Sequence, residues 1–217
     1  MIKSKIFFSF MAFMLFSLMH SCKKEKADNA VVPEVNTAQG ETVYVVDTLR
    51  SSIEWKGYKI FKSENTSHFG NLLFERGEMS VKEGRLQSGI FVAHIASLSN
   101  EDLEDDAVQK EKLEKHLLSP DFFHAEKFPT ATYEITQVSD GAGDYNTILD
   151  GKLTIKGVTR PLRINANVSV KEDKITLFSE PTDFSRSDFG IRFQSPIENG
   201  VIQDEINIQI VVSGIKK

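Results

Sequence analysis

The segment Leu162-Arg-Ile-Asn-Ala-Asn-Val-Ser-Val-Lys171 decides the fold class of this 217-residue chain. Every second residue from Leu162 to Val170 is apolar, and Arg, Asn, Asn, Ser and Lys occupy the other positions. Side chains of a strand point alternately to the two faces of a sheet, so the segment predicts a strand with one buried and one wet face. The same alternation at 149–155 and 206–212 predicts antiparallel sheet.

Turn-forming residues separate several further segments of strand composition. Lys82-Glu-Gly84, Asp140-Gly-Ala-Gly-Asp144 and Lys171-Glu-Asp-Lys174 are typical of tight turns between strands. They predict an all-β domain of antiparallel hairpins, whose remaining strands lie at 43–49, 52–61, 68–75, 78–81, 86–96, 130–138, 174–178 and about 184–193.

The segment Ser99–Leu118 has no alternation and predicts a helix. It begins with a run of acids from Glu101 to Asp106 and ends with Lys110, Lys112, Lys115 and His116, an order that complements a helix dipole. The acidic run is interpreted as a solvated helix start, not as paired catalytic carboxylates. Ser119-Pro-Asp121 then predicts a cap before a short turn.

One helix with a single apolar side cannot cover this many apolar strand faces. The strands must therefore cover one another, either as a two-sheet sandwich or as a sheet closed into a barrel. Closure removes exposed edges and is favoured for that reason, but periodicity alone leaves both architectures open.

The N-terminal residues predict secretion. Lys3 and Lys5 precede an apolar run, Ile6 to Leu18, that is shorter than the ~20 residues of a membrane-spanning helix. The pattern is typical of a signal peptide, assigned to residues 1–21. We expect a protein that crosses the inner membrane and stays in the periplasm or at the outer membrane.

Cys22 is the only cysteine of the chain, so no intrachain disulfide is possible. Ser21-Cys22 resembles a bacterial lipobox, which predicts lipidation of Cys22 and attachment to a membrane. Plain secretion with cleavage nearby is the alternative. Residues 22–41 are polar and predict a flexible tether, and residues 42–217 predict one folded domain.

Charge and motifs exclude several functions. The chain has 26 Lys and Arg against 31 Asp and Glu, a net charge of −5, which argues against nucleic acid as a partner. The domain histidines, His68, His94, His116 and His124, form no His-Glu-x-x-His pair, and a Gly-x-Ser-x-Gly motif is absent. The sequence predicts a binding protein with no metal and no covalent cofactor, not an enzyme.

Two segments of the domain resemble the central motifs of the YceI-like family. They are Lys112-Leu-Glu-Lys-His-Leu-Leu-Ser-Pro-Asp-Phe-Phe-His-Ala-Glu-Lys-Phe-Pro-Thr-Ala-Thr-Tyr133 and Gly151-Lys-Leu-Thr-Ile-Lys-Gly-Val-Thr-Arg-Pro161. Ser52-Ile-Glu-Trp55, His68-Phe-Gly70, Ser97-Leu98 and Arg186-Ser-Asp-Phe-Gly190 match in the expected order. His94 departs from the pattern, since many relatives carry an acid there, and the C-terminal third is similar to an anchored subgroup of the family.

The resemblance implies a lipocalin-like antiparallel β-barrel with a short helical insertion. It also implies that the interior binds a polyisoprenoid lipid such as a polyprenyl phosphate or a quinone. On this basis we expect these residues to contact the ligand: Trp55, Phe61, His68, Phe69, Phe91, His94, Tyr133, Leu153, Phe184, Arg186, Phe189 and Phe193.

The same residues have plainer explanations. Small inward residues, Gly57, Ala93, Ala131, Gly151 and Ala166, would leave volume for a lipid, but small and large side chains also alternate simply to fill a tapering barrel. Only the family resemblance favours the lipid.

The expected polar contacts have structural alternatives as well. Arg186 would meet a lipid head group, or instead pair with nearby Asp183 or Asp188. His68 and His94 would donate to a head group, or be satisfied structural residues.

Three functions follow, in order of preference. The first is a carrier that holds an isoprenoid lipid in the barrel. The second is an envelope stress or structural scaffold whose outer face binds a protein. The third is an enzyme that acts on a bound lipid head and depends on His94 or Arg186.

Overall fold

The computed structural model describes residues 35, 37–62, 64–196 and 198–217. The predicted signal peptide, Cys22 and most of the predicted tether lie outside these residues. Within them the secondary structure is β1 Thr42–Val46, β2 Ser52–Phe61, β3 Glu64–Lys82, β4 Arg85–His94, β5 Ser99–Asn100, α1 Ala107–Leu118, β6 Thr130–Asp140, β7 Thr147–Ile155, β8 Val158–Lys171, β9 Lys174–Ser179, β10 Thr182–Ser185 and β11 Gly200–Lys216, with 3-10 turns at Ile95–Ser97 and Arg186–Phe189.

The antiparallel sheet closes on itself. Its hydrogen-bonded order runs β11, β2, β3, β4, β6, β7, β8 and β9, and β9 then pairs with β11 through Val211 opposite Phe178 and Ile215 opposite Lys174. This closure gives the lipocalin-like, all-β architecture implied by the family motifs. The open-edged sandwich that periodicity alone allowed is not the fold.

At two positions around the barrel, two consecutive strands lie end to end along the same neighbouring strands. β1 pairs with one end of β3 and β11, and β2 continues along the same two neighbours after the turn at Asp47–Arg50. In the same way β10 continues beside β11 from where β9 ends, after a break at Glu180-Pro181. A proline cannot donate to the ladder, which explains a break at this point.

Strand bounds follow the predicted alternation, although β1 and β4 end two or three residues earlier and β11 is longer than predicted, and two segments differ more. The segments predicted at 68–75 and 78–81 are one long strand, β3, whose register shifts between Phe74 and Arg76 opposite β4. The segment predicted as a strand near 184–193 is the short strand β10 followed by a 3-10 turn that ends at Gly190, whose φ is 74°. Glycine adopts this left-handed conformation without the steric cost of a Cβ atom.

The helix begins later than predicted. α1 starts at Ala107, where the Asp106 side chain accepts a hydrogen bond from the Gln109 N–H at 3.0 Å, and it ends with Ser119 as its C-cap. The prediction that the whole acidic run opens the helix is therefore wrong. Glu101 and Asp102 lie before the helix and instead accept hydrogen bonds from β3, from Asn71 and from the Phe69 N–H.

One half of the barrel interior is packed with side chains. We call it the filled half, and it lies toward the β3–β4 hairpin. Met79 and Ile175 are fully buried there, and Leu149 and Val212 are 1 % exposed. Gly151 belongs to this half, because a Cβ atom on it would lie 2.5 Å from the Tyr133 ring, and Ala166 is likewise fully buried. The expectation that Gly151 and Ala166 leave room for a ligand is wrong.

Candidate functional site

The other half of the barrel encloses a cavity of about 970 Å³, which we call the chamber. Residues of eight strands form its wall, including Ile53 and Trp55 of β2, Leu72 of β3, Leu153 of β7 and Ile208 of β11. Small-molecule sites in proteins measure ~300–1,000 Å³ and are mostly apolar. The chamber has the volume and the lining of a site for a large apolar molecule.

Small residues keep the chamber open. Gly57, Ala93 and Ala131 all lie on its wall. A Cβ atom on Gly57 would meet only Ile206 Cδ1, at 3.5 Å, so the space beside it is free for a side chain or a ligand. These three of the five predicted small residues do border the hollow.

Aromatic rings line the wall near the helix. His116 lies edge-on to Phe193 and Phe122, with ring centroids 4.4 and 5.0 Å apart, and all three border the chamber. Trp55 of β2 donates a hydrogen bond from Nε1 to the Ser99 carbonyl at 3.2 Å. This bond satisfies the one polar atom of the indole and leaves its apolar surface toward the chamber.

Helix α1 covers the chamber. Leu113, His116 and Leu117 face the hollow, and none of the helix residues is fully buried. The helix is held to β5 because the Glu114 carboxylate accepts a hydrogen bond from the Asn100 N–H at 2.8 Å. It therefore rests on a few contacts at the edge of the barrel and not on a packed core.

Arg186 is the one cation buried in the chamber wall among the described residues, and it is 1 % exposed. Its Nε and Nη1 donate to the carbonyls of Gln203 and Ile191, each at 3.0 Å, and Nη2 donates to Ile202 at 3.2 Å. Nη2 also lies 3.1 Å from Asp204 Oδ1. Burial lowers the pKa of the guanidinium and the Asp204 charge acts in the opposite direction, though an arginine stays charged throughout.

These contacts replace the ion pairs considered from the sequence. Asp183 accepts a hydrogen bond from the Asn207 side chain at 2.6 Å, and the carboxylate beside Arg186 is that of Asp204. Asp204 lies 18 residues after Arg186, in the part of β11 where the register with β2 shifts between Ile202 and Ile206. Arg186 thus ties the loop after β10 to this irregular part of β11.

Three polar side chains form a chain of hydrogen bonds between β2, β3 and the loop before α1, which we call the Lys59–His68–Asp102 relay. His68 Nδ1 lies 2.8 Å from Asp102 Oδ2, and His68 Nε2 lies 3.2 Å from Lys59 Nζ. An ammonium only donates, so Nε2 accepts from Lys59 and Nδ1–H donates to Asp102. Burial acts to raise the pKa of Asp102, but hydrogen bonds from Phe69 N–H, His68 and Asn100 outweigh it and hold that pKa below its usual value.

Nine of the twelve predicted ligand-contacting residues border the chamber, and whether they contact a lipid stays a prediction. They are Trp55, Phe61, His68, Phe91, Tyr133, Leu153, Phe184, Arg186 and Phe193.

Phe69, His94 and Phe189 do not border the chamber. Phe69 and His94 each follow an inward residue in their strand, so alternation turns them to the outer face, where both are exposed. Phe189 is buried instead in the 3-10 turn, edge-on to Phe184 with centroids 5.5 Å apart.

Other residues of the wall were missed from the sequence. Lys59 has the same phase in β2 as Trp55 and Gly57, so alternation places it on the chamber wall, but its charge did not suggest an interior position. Tyr58 and Ile60 also border the chamber, because alternation breaks down where the strands reach the opening. Phe122 and His116 come from the helical insertion, and no period-two pattern identifies them. Their position in the motif segment 112–133 was the available indication.

Other kinds of site receive no support from the described residues. They contain no group of three or more His, Cys, Asp and Glu side chains placed to hold a metal ion. They also contain no helix with the length and hydropathy needed to cross a bilayer.

Residues 44–213 match the family model described as the YceI-like domain. The chain is 28 % identical over 193 residues to a UPF0312 protein of Shewanella denitrificans, covering 83 % of this chain and 91 % of that protein. It is 34 % identical over 110 residues to a UPF0312 protein of Shewanella baltica. That match spans about half of the Shewanella baltica protein, 54 % of its length, and 48 % of this chain.

Two solved structures share the fold. Burkholderia cenocepacia BcnA superposes with a TM-score of 0.58 at 19 % identity, over 77 % of this chain and 98 % of that one. A polyisoprenoid binding domain from Saccharophagus degradans, implicated in plant cell wall breakdown, superposes with a TM-score of 0.54 at 13 % identity, over 81 % and 99 % of the two chains.

Proposed function

We propose, since this chain belongs to the YceI-like family, that it binds one long apolar lipid, a polyisoprenoid, within its chamber and catalyses no covalent reaction. The observation that carries the proposal is the division of the barrel interior. Buried side chains such as Met79, Leu149 and Ile175 fill one half, and the other half holds about 970 Å³ with an apolar and aromatic wall. A scaffold with no ligand would gain stability by filling this space.

The composition of the wall supports a hydrocarbon tail. Residues such as Ile53, Leu72, Phe91, Leu153 and Ile208 supply apolar surface from all around the ring. Burial contributes about 25 cal/mol per Å² of apolar area removed from water, before the cost of association is subtracted. The name of the Saccharophagus degradans domain, a polyisoprenoid binding domain of the same fold, supports the same ligand class.

A polar head belongs at the Lys59–His68–Asp102 relay in this proposal. Lys59 Nζ has donors left after its bond to His68, and among the described residues no carboxylate lies within ion-pair distance of it. It would donate to a phosphate oxygen or to a quinone carbonyl. Arg186 is the weaker candidate, because three carbonyls and Asp204 already hold its guanidinium.

The location of the protein is part of the proposal. The signal-like residues 1–21 and the lipobox-like Ser21-Cys22 support a lipoprotein that crosses the inner membrane and is anchored in the periplasm or at the outer membrane. Such an anchor would hold the barrel beside the membranes that contain isoprenoid lipids. The acidic net charge supports a partner other than nucleic acid.

Trp55 provides the direct test, because it is the only tryptophan of the chain and lies on the chamber wall. Titration with a polyprenyl phosphate or a quinone should change its fluorescence and saturate at one molecule per chain. Gly57→Leu, which points a larger side chain into the chamber, should abolish saturation. Glu54→Leu adds the same side chain to the outer face of the same strand and should leave it unchanged.

Native mass spectrometry of gently purified protein should show one bound apolar molecule. A lipid-free chain under several purification conditions, with no Trp55 response to any long-chain lipid, would refute the carrier function.

A row of three apolar residues and one serine on the outer face favours a second function, the protein-binding scaffold. Phe178, Val211, Ser52 and Leu73 lie opposite one another on four adjacent strands, and Phe178 and Leu73 are nearly half exposed. Contiguous exposed apolar surface is typical of interaction sites. A scaffold role predicts that Leu73→Ser with Phe178→Ser abolishes the cellular function while Gly57→Leu preserves it, and the carrier role predicts the reverse.

A further inference from the structure

We infer that the lipid in the chamber ends in an acid, a phosphate or a carboxylate, and that Lys59 and Lys112 bind this anionic head at the opening. The inference rests on the proposed lipid-binding function and narrows its ligand class, because a quinone or a polyprenol has a neutral head. The opening lies between the β2–β3 hairpin, the N-terminal half of α1 and the start of β11, where exposed residues of all three border the hollow.

The charged side chains of the chamber wall are all cations. Among the described residues, the wall contains Lys59, Lys112 and Arg186 but no Asp or Glu, although the chain has 31 acids against 26 Lys and Arg. Two carboxylates approach from outside the wall, Asp204 at Arg186 and Asp102 on the far side of the relay, so one positive charge is left over. A charge beside apolar surface is stabilised when an anion pairs with it.

Lys59 presents an oriented ammonium to the chamber. It has the phase of Trp55 and Gly57 in β2, so an apolar side chain at this position would simply extend the apolar wall. Instead, His68 Nδ1 lies 2.8 Å from Asp102, which leaves Nε2 to accept one hydrogen bond from Lys59 Nζ at 3.2 Å. The ammonium is held at the wall with further donors left over, which suits it to the oxygens of a phosphate or a carboxylate.

Lys112 adds a second ammonium from α1, and the acids of this helix are engaged elsewhere. Glu111 pairs with Lys115 at 2.7 Å, and Glu114 accepts a hydrogen bond from the Asn100 N–H. Neither acid borders the chamber, whereas Lys112 does. Among the described residues, no carboxylate lies within ion-pair distance of Lys112, so its charge is available to a ligand head.

Exposed acids surround the opening on its outer side. None of them lines the chamber, and they are Glu64, Glu104, Asp105, Asp106, Glu111 and Glu198. The opening as a whole therefore has no positive excess that would attract anions from a distance. Salt limits the reach of exposed charges to about 8 Å at physiological ionic strength, whereas the two lysines act on a head group in contact with them. The preference for an anion thus belongs to the bound head and not to the surface of the barrel.

Ligand pairs that share a tail and differ only in the head test the inference on the full chain. A polyprenyl phosphate is compared with the polyprenol of equal length, and oleic acid with oleyl alcohol, by titration of the Trp55 signal at pH 8. We expect at least one acid to bind about tenfold more tightly than its alcohol, because hydrogen bonds to charged groups are the stronger ones. The pair that shows the difference tells a phosphate from a carboxylate. Equal affinities within both pairs, or a quinone that binds as tightly as the tighter acid, would overturn the inference.

Lysine variants assign the preference to the chamber wall. Lys59→Gln with Lys112→Gln keeps a donor at each position but removes both charges, so the acid should lose most of its advantage while the alcohol still binds. Lys56→Gln with Lys115→Gln removes two charges from the same strand and helix at exposed positions outside the chamber wall, and should keep the preference.

The outcomes separate the two claims. A preference that survives in the wall variant, or that falls equally in both variants, would refute the anionic head and leave the carrier function standing. Absence of any Trp55 response in the parent chain to all of these lipids would refute the lipid-binding function itself.

Discussion

Tyr133 sits between the filled half and the chamber and links stability to pH. Its hydroxyl lies 3.1 Å from the carbonyls of Leu149 and Leu162, and its ring covers Gly151. Burial raises the pKa of this phenol, and the charge of Asp150 raises it further. The folded state therefore keeps the proton to higher pH than the unfolded chain, whose tyrosine ionises near pH ~10.

This difference predicts alkaline destabilisation. The contribution of Tyr133 is fully present below the unfolded pKa and falls as pH rises above it, because only the unfolded chain then releases the proton. Urea unfolding at pH 8 and pH 11 should show a larger loss for the parent than for Tyr133→Phe. At pH 8 the variant should be less stable by about 1 kcal/mol, since it lacks the hydrogen bonds. Parallel losses in the two proteins would contradict the assignment.

At the same scale, the phase of alternation explains which site residues were predictable. His68 and Phe69 are neighbours in one strand, as are Ala93 and His94, so only one of each pair faces the interior. Aromatic character suggested Phe69, but the register puts Gly57 opposite His68, and both border the chamber. The partner of Arg186 could not be found locally, because Asp204 lies 18 residues later, in the part of β11 where the register with β2 shifts.

The cover formed by α1 is the element whose motion should control ligand exchange. Glu114 holds the helix to Asn100, a fully buried residue, whereas Glu111 makes only an exposed pair with Lys115 on the same helix. Glu114→Ala should therefore speed hydrogen exchange of the α1 amides and the release of bound lipid, measured by chase of the Trp55 signal. Glu111→Ala is the control and should change neither. Faster exchange without faster release would mean that α1 does not cover the exit.

Elements were predictable where one local pattern dominates. β2 runs from Ser52 to Phe61 as its alternation indicates, and the turns at Gly84 and Gly143 lie between strands where the sequence placed them. The start of α1 was predicted too early, because the charge order is a property of the whole acidic run, whereas only Asp106 caps the helix. Asp102 is drawn instead to His68, a contact between residues 34 positions apart that no helical pattern contains.

The barrel as a whole combines a packed end with a hollow end, and the sequence did not distinguish them. Small residues occur in both. Ala131 borders the chamber, while Gly151 accommodates the Tyr133 ring in the filled half. What a small residue leaves open depends on which side chain faces it across the ring, and that is fixed only when all strands are in register.

The two halves should respond differently to the same truncation. Leu149→Ala removes a side chain that is 1 % exposed in the filled half, and it should cost about 2–5 kcal/mol with or without ligand. Leu72→Ala removes a chamber-wall side chain that already borders empty space, so its cost without ligand should be clearly smaller. A saturating lipid should raise the urea midpoint of Leu149→Ala by as much as that of the parent, but that of Leu72→Ala by less, because the ligand has lost part of its contact surface. Equal costs for the two truncations without ligand would mean that the chamber closes in solution and that the hollow is not held open by the ring.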